Sequence, residues 1–253
     1  MRRFIGAFFL TAFVFGPGSQ ARADDSKDAK AILDKAISAL GGEEKLAAVK
    51  TATWKSKGKI SIGGNDSDFT AQSTAQGLDR YRGEFEGDFG GNKVSGVTVV
   101  NGDKGWRKFA DNNMELDKEG VASEKLRSIY LQVIPITILP LKGNDFKVET
   151  AGEEKVGDKP ALAVKATGPD GKDFKIFFDK ESGLPVKLTA KVVGFMGEEF
   201  TQDTSLGGYK DFAGIKKATK IVYNRDGEKF MDIEVTEFKV VDKVDPKTFD
   251  KPE

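Results

Sequence analysis

The side chains best equipped for chemistry are acidic. Glu43-Glu44, Glu153-Glu154 and Glu198-Glu199 are adjacent pairs, and Asp111-Asn112-Asn113-Met114-Glu115 has the letters of a calcium loop. A carboxylate-based hydrolase needs two acids facing one cleft, roughly 5–9 Å apart. Neighbours on a strand point to opposite faces, so Glu198 and Glu199 cannot form such a dyad there. The Asp111 segment lacks the glycine that a calcium loop needs at its sharp turn, and it reads as a hairpin turn. Gly83, Gly87, Gly90 and Gly91 are spaced wrongly for a phosphate-binding or dinucleotide loop and fit bends in a curved sheet instead. The chain contains no histidine and no cysteine. That removes Ser-His-Asp and Cys-His catalysis and most zinc chemistry. The expectation is a protein that is not an enzyme, with no cofactor and no metal.

What remains in quantity is apolar. Leu126, Ile129, Tyr130, Leu131, Val133, Ile134, Ile136, Ile138 and Leu139 crowd one stretch in mid-chain, while Trp54, Tyr81, Phe85, Trp106, Phe174, Phe178 and Phe195 are spread through the segments on either side. Ligand pockets are mostly apolar with few polar groups, so these residues are candidates to line one. The same side chains would also make an ordinary core. Pro135 and Pro140 favour the pocket, because a broken helix packs less regularly and leaves room for a guest. Lys55, Lys57 and Lys59 form a basic row. It would meet anionic headgroups or another protein, or keep a strand soluble and resistant to edge pairing.

Positioning these residues takes helices and many strands. Ala29, Ile32, Leu33, Ala36, Ile37 and Leu40 recur at helical spacing before Gly41-Gly42, which predicts a helix over 27–41 with a left-handed cap. A short turn from Glu43 to Val49 follows. From Thr51 the period becomes two, with Trp54, Ser56, Gly58, Ile60 and Ile62 on one face of a strand. Leu78–Phe85 continues the pattern, and Asn101-Gly102 predicts a type I′ hairpin between 94–100 and 104–110. Ser123 caps a helix that Pro135 stops or kinks, giving a helical segment over 123–141. Strands return over 161–167, 174–179, 186–193, 199–203, 216–224 and 229–241. In the last, Met231, Ile233 and Val235 share one parity and Phe238 and Val240 the other, which predicts a bulge near Thr236.

The N-terminus has the form of an export signal. Arg2 and Arg3 precede an uncharged apolar run from Phe4 to Phe15, and Ala21-Arg22-Ala23 offers a cleavage site after Ala23. The run is shorter than the roughly 20 residues needed to cross a bilayer, so no stable membrane anchor is expected. Removing residues 1–23 takes three arginines and no acid, leaving a net charge of about −3 that does not attract nucleic acid. The expected location is periplasmic or secreted. About ten to eleven strands with an N-terminal helix and a mid-chain helical lid make an α+β protein, 24–253, as one domain. A sandwich fills its own core, whereas a half-open barrel has a mouth that an apolar helical segment can cover.

Three stretches carry a family resemblance. AILDKAISALGGEEKLAAV (31–49), Asn101-Gly102-Asp103-Lys104-Gly105-Trp106, and FFDKESGLP (177–185) are joined by Tyr209–Ile215 and the closing Phe249…Pro252. Together they resemble the LolA-like and LppX-like periplasmic lipid and lipoprotein carriers, the proteins of outer-membrane lipoprotein sorting, over most of the chain after residue 23. The resemblance implies a strongly curved antiparallel sheet wrapped into a half-open β-barrel, lined with apolar side chains, with Leu126–Leu141 as its lid. It also implies a lipid or lipoprotein acyl chain as ligand and inner- or outer-membrane proteins as partners. Carriers of this kind often place a basic residue and a proline before the strand that here begins at Leu78. This chain has Gln76-Gly77 there. The alternative is a non-enzymatic envelope protein that binds a partner protein through its sheet face or edge.

Overall fold

The computed structural model describes residues 20–62, 64–194 and 197–253. The expected signal segment falls mostly on 1–19, which, like Phe195, lies outside the described residues. Helix α1 (Gln20–Leu40) begins earlier than its apolar pattern predicts. Its periodic residues Ala29, Leu33, Ala36, Ile37 and Leu40 are all buried, which is why this amphipathic segment docks along one side only. Gly42 N–H donates to Ile37 O at 2.9 Å, the bond that closes a helix through left-handed residues. Gly41 (φ 139) also lies directly against the Gly214 carbonyl, where a Cβ would collide with backbone. The short α2 (Glu43–Ala47) follows.

Among the described residues thirteen strands form one antiparallel sheet. The first meander is β1 (Thr51–Ile62), β2 (Asn65–Gln76), β3 (Arg80–Phe89), β4 (Asn92–Asn101), β5 (Lys104–Phe109) and β6 (Asn112–Glu115), running from the centre of the sheet to one rim. The second starts at the other rim. It comprises β7 (Lys147–Val156), β8 (Lys159–Thr167), β9 (Asp173–Asp179), β10 (Pro185–Val193), β11 (Glu199–Gly207), β14 (Lys220–Arg225) and β15 (Glu228–Val240), and β15 returns to pair with β1. Between β11 and β14 the chain makes a separate hairpin of β12 (Lys210–Phe212) and β13 (Ile215–Lys217). The rim strands β6 and β7 do not pair, so the sheet stays open.

Residues 116–146 join the two rims. They carry α3 (Lys118–Glu124), a π-helical turn (Lys125–Tyr130), α4 (Ile134–Thr137) and a 3-10 turn (Leu139–Lys142). This segment leaves the β6 rim and re-enters at the β7 rim. Its apolar side chains pack with sheet residues from both meanders, so it crosses one face as a strap.

Several expectations change. The sheet has more strands than about ten to eleven, because β2, β6 and β7 are polar or fully exposed and show little alternation to read. Residues 111–115, expected as a turn, mostly form β6, and the turn sits at Ala110 (φ 50). The helical strap begins at Lys118 rather than at Ser123: Asp117 caps α3 by accepting from Gly120 N–H at 2.7 Å, and Ser123 is buried inside the helix. In the β4–β5 hairpin the central pair is Gly102-Asp103, with positive φ only at Gly102, which is the II′ pattern rather than I′. The bulge near Thr236 is present. Lys55 pairs with Glu237 and Ser56 with Val235, leaving Thr236 unmatched while its hydroxyl donates to Lys55 O at 3.2 Å.

Candidate functional site

Residues opposed across an antiparallel ladder share a face. Trp54 is opposed by Phe238 on β15 and by Ser73 on β2, and Ala75 by Tyr81 on β3, which in turn faces Val100 on β4. This is the face the strap covers. In the second meander Leu188, Ile176 and Val164 lie on it, all fully buried. From above, the strap contributes Leu126, Ile129, Tyr130, Leu131, Ile134, Ile136, Ile138 and Leu141, buried with the sheet residues in one cluster, and Val133 and Leu139, which are half-buried. The outer face differs. There Lys55, Lys57 and Lys59 pair with Glu237, Glu234 and Asp68 and remain exposed.

A charged tether holds the strap down. Glu124, with no exposed side-chain surface, receives hydrogen bonds on Oε2 from Arg107 Nε (2.9 Å) and Nη2 (2.6 Å) and from Arg127 Nη2 (2.7 Å), while the Ser128 hydroxyl donates to Oε1. Arg107 belongs to β5, so this cluster ties α3 to the sheet. Burial pushes the Glu124 carboxyl up, but Arg127, Arg107 and the hydrogen bonds outweigh it and hold it at about 2. At its far end the strap passes through Ile138 at φ 63, a left-handed conformation that a β-branched residue adopts only under strain.

Beneath the strap lies a cavity of about 30 Å³. That is room for a water molecule or two, not for an acyl chain. Leu131, Gln132 and Pro135 form its roof. Trp54, Thr204, Leu206, Ile221 and Tyr223 are its floor, and Tyr209, Lys217 and Ala218 close the side. Where the resemblance placed a hollow, Ile129, Ile134, Ile136 and Ile138 of the strap are buried against the sheet.

The structure divides the anticipated lining residues. Trp54, Tyr81, Phe178 and the strap residues are gathered in the covered core. Tyr81 lies 6.3 Å from Trp54 and exchanges a 3.1 Å hydrogen bond with the Ser73 hydroxyl, and burial pushes its phenol up to about 12. Tyr130 meets Phe146 edge-on and Phe174 at a tilt, and donates to Asp170 at 3.0 Å. Phe85 occupies the same face beyond the strap, half-buried and 6.3 Å from Phe109. Trp106 is set apart: it sits on the outer face with Val99 and Phe249, under the C-terminal turn Pro246–Phe249. The sequence assigns no site role to Arg107, Arg127 or Lys217, and it places Glu124 only as a residue that opens the mid-chain helix. Of the first three only Lys217 left a trace, because it shares parity with the buried Ile215 two residues earlier. Among the described residues no acidic cluster could hold a metal ion, and no helix is long and apolar enough to cross a membrane.

No family sequence model matches the chain, and no curated protein matches it in sequence. Solved structures do match in shape. A LolA superfamily protein from Nitrosomonas europaea superimposes with a TM-score of 0.56 at 12% identity, covering 88% of this chain and 97% of that one. A DUF1329 family protein from Desulfovibrio piger gives 0.54 at 14%, covering 88% and 97%. A domain named for outer membrane lipoprotein sorting, from Vibrio parahaemolyticus, gives 0.53 at 10%, covering 87% and 97%. At such identities the likeness is one of fold, and the fold of this chain, an open and strapped antiparallel sheet, is LolA-like.

Proposed function

We propose that the protein is a non-enzymatic carrier or binding protein of the cell envelope that takes the acyl chain of a lipid or lipoprotein between strap and sheet. One observation carries this reading. The apolar face of an open sheet is covered by a broken, locally strained segment instead of by a second sheet. In the structure Ile129, Ile134, Ile136 and Ile138 occupy the space, and a ligand would take their place. The energies are comparable. A sixteen-carbon chain gains about 12 kcal/mol at about 0.8 kcal/mol per methylene, and re-exposing four or five large strap side chains costs about 10 kcal/mol. Exchange is then near balance, as reversible carriage requires. Release of the strained Ile138 backbone adds roughly 1–3 kcal/mol in favour of lifting.

The test is extraction and native mass spectrometry of protein purified from its own envelope. A bound amphiphile, with faster amide exchange in 118–142 when it is loaded, is the expected result. A ligand-free protein whose strap exchange does not respond to added long-chain amphiphile would overturn the reading. A second reading, a partner protein bound beside the β6 rim, rests on Phe109 and Met114, which are 40% and 48% exposed there.

A further inference from the structure

The ligand class can be narrowed by Lys217, the one cation that lines the cavity among the described residues. Lys217, on β13, is 7% exposed and faces the space beneath Gln132 and Pro135. Among the described residues no carboxylate pairs with it. Its ammonium stands 5.4 Å from the Trp54 ring centroid and 5.6 Å from that of Phe238. Two ring faces return roughly 0.5–2 kcal/mol each, against a burial cost of several kcal/mol for an ammonium. The fold therefore holds this charge at a loss. Burial also pulls the Lys217 ammonium down to about 8, so it still carries its proton near neutral pH.

The polar groups around it are of one kind. Gln132, Thr204, Tyr209 and Tyr223 line the same cavity as Lys217, and none of them is acidic. The Tyr209 hydroxyl is already committed to Pro185 O at 2.6 Å, and Thr204 accepts from Gln202 at 3.1 Å. Lys217 thus offers N–H groups where the apolar surfaces of Trp54, Leu131, Leu206 and Ile221 begin. We infer that this cavity, widened as the strap lifts, is the seat of an anionic headgroup, a carboxylate or phosphate, with Lys217 as its counter-ion and the attached hydrocarbon taking the place of the strap's side chains. The inference rests on the carrier reading above and deepens it from an amphiphile of any kind to an anionic one.

The experiment compares decanoate, decanol, acetate and inorganic phosphate on the wild-type chain and on Lys217→Met. Binding is followed by Trp54 fluorescence in a Trp106→Phe background, since Trp106 lies on the opposite face. Wild type should bind decanoate roughly ten- to a hundredfold tighter than decanol, the usual range for a hydrogen bond to a charged group. In Lys217→Met that preference should vanish while decanol binding persists. Without ligand, Lys217→Met should melt at a higher temperature than wild type. Equal decanoate affinity in the two proteins, or a lower melting temperature for Lys217→Met, would overturn the inference and leave Lys217 a structural residue. If wild type takes neither ten-carbon chain, the carrier reading itself fails. If it takes both equally, only the anion site fails. Saturable binding of acetate or phosphate alone, abolished by Lys217→Met, would uphold the anion site and assign it to free anions; their failure beside tight decanoate binding assigns it to a lipid head.

Discussion

Glu124 has three charged or hydroxyl partners on its carboxylate, and its titration fixes when the strap stays down. Unfolded, it titrates near 4.5; folded, near 2. A lowered folded value means that the stabilisation is complete above the unfolded value and is lost as pH falls through the folded one. Between pH 4.5 and 2 the tether should therefore lose about 3 kcal/mol, seen as a drop in urea midpoint over that window. Glu124→Gln should flatten the pH dependence and cost about 3 kcal/mol at neutral pH, because Arg107 stays buried and Arg127 half-buried without their carboxylate. Little of this was legible in the sequence. Arg107 follows Trp106, and an alternating strand gives only one of them to the inside. Here both faces of β5 are covered, one by the strap and one by the C-terminal turn, so parity could not choose.

Elements with a strong local signal were readable. Helix α1 has its apolar stripe and Gly-Gly end, and the Thr236 bulge announces itself as a parity switch. β2, by contrast, is Asn65–Gln76 with one large apolar residue, Phe69, and it is a strand because β1 and β3 supply ladders on both sides. Tertiary pairing of that kind leaves no periodicity to detect. The strap's contact with β5 offers a direct test of lifting. A Cβ placed on Gly105 would stand 3.2 Å from Val121 Cγ2, and the chain has no cysteine of its own. Gly105→Cys with Val121→Cys should form a disulfide that pins α3 to the sheet. The oxidised protein is expected to lose uptake of long-chain amphiphile, and reduction to restore it; uptake unchanged by oxidation would show that ligands do not enter by moving α3.

On the scale of the whole molecule, the sheet is two meanders that meet at β1 and β15, nearly the length of the chain apart. The C-terminal residues then reach across the outer face of the first meander. Phe249 buries itself against Val99 and Trp106, Asn101 donates to Phe249 O at 3.2 Å and Asn113 to Pro252 O at 2.6 Å. Phe249→Ala should cost about 3 kcal/mol, near the low end for such truncations, and red-shift Trp106 emission, with Trp54 unchanged. A blue or unshifted spectrum would mean that this turn is not what shields Trp106. The sequence suggested a half-barrel with a lid but not how the lid is attached, because rim-to-rim connection is a property of strand order alone. That connection resembles a bowstring. Tied to both tips, it cannot swing away like a door on one hinge, so any guest that pushes it outward must also draw the tips together or let them spread. If the protein is a carrier, loading and the curvature of the sheet would be a single mechanical coordinate, and whatever flattens the bow from outside would loosen the grip on what lies within.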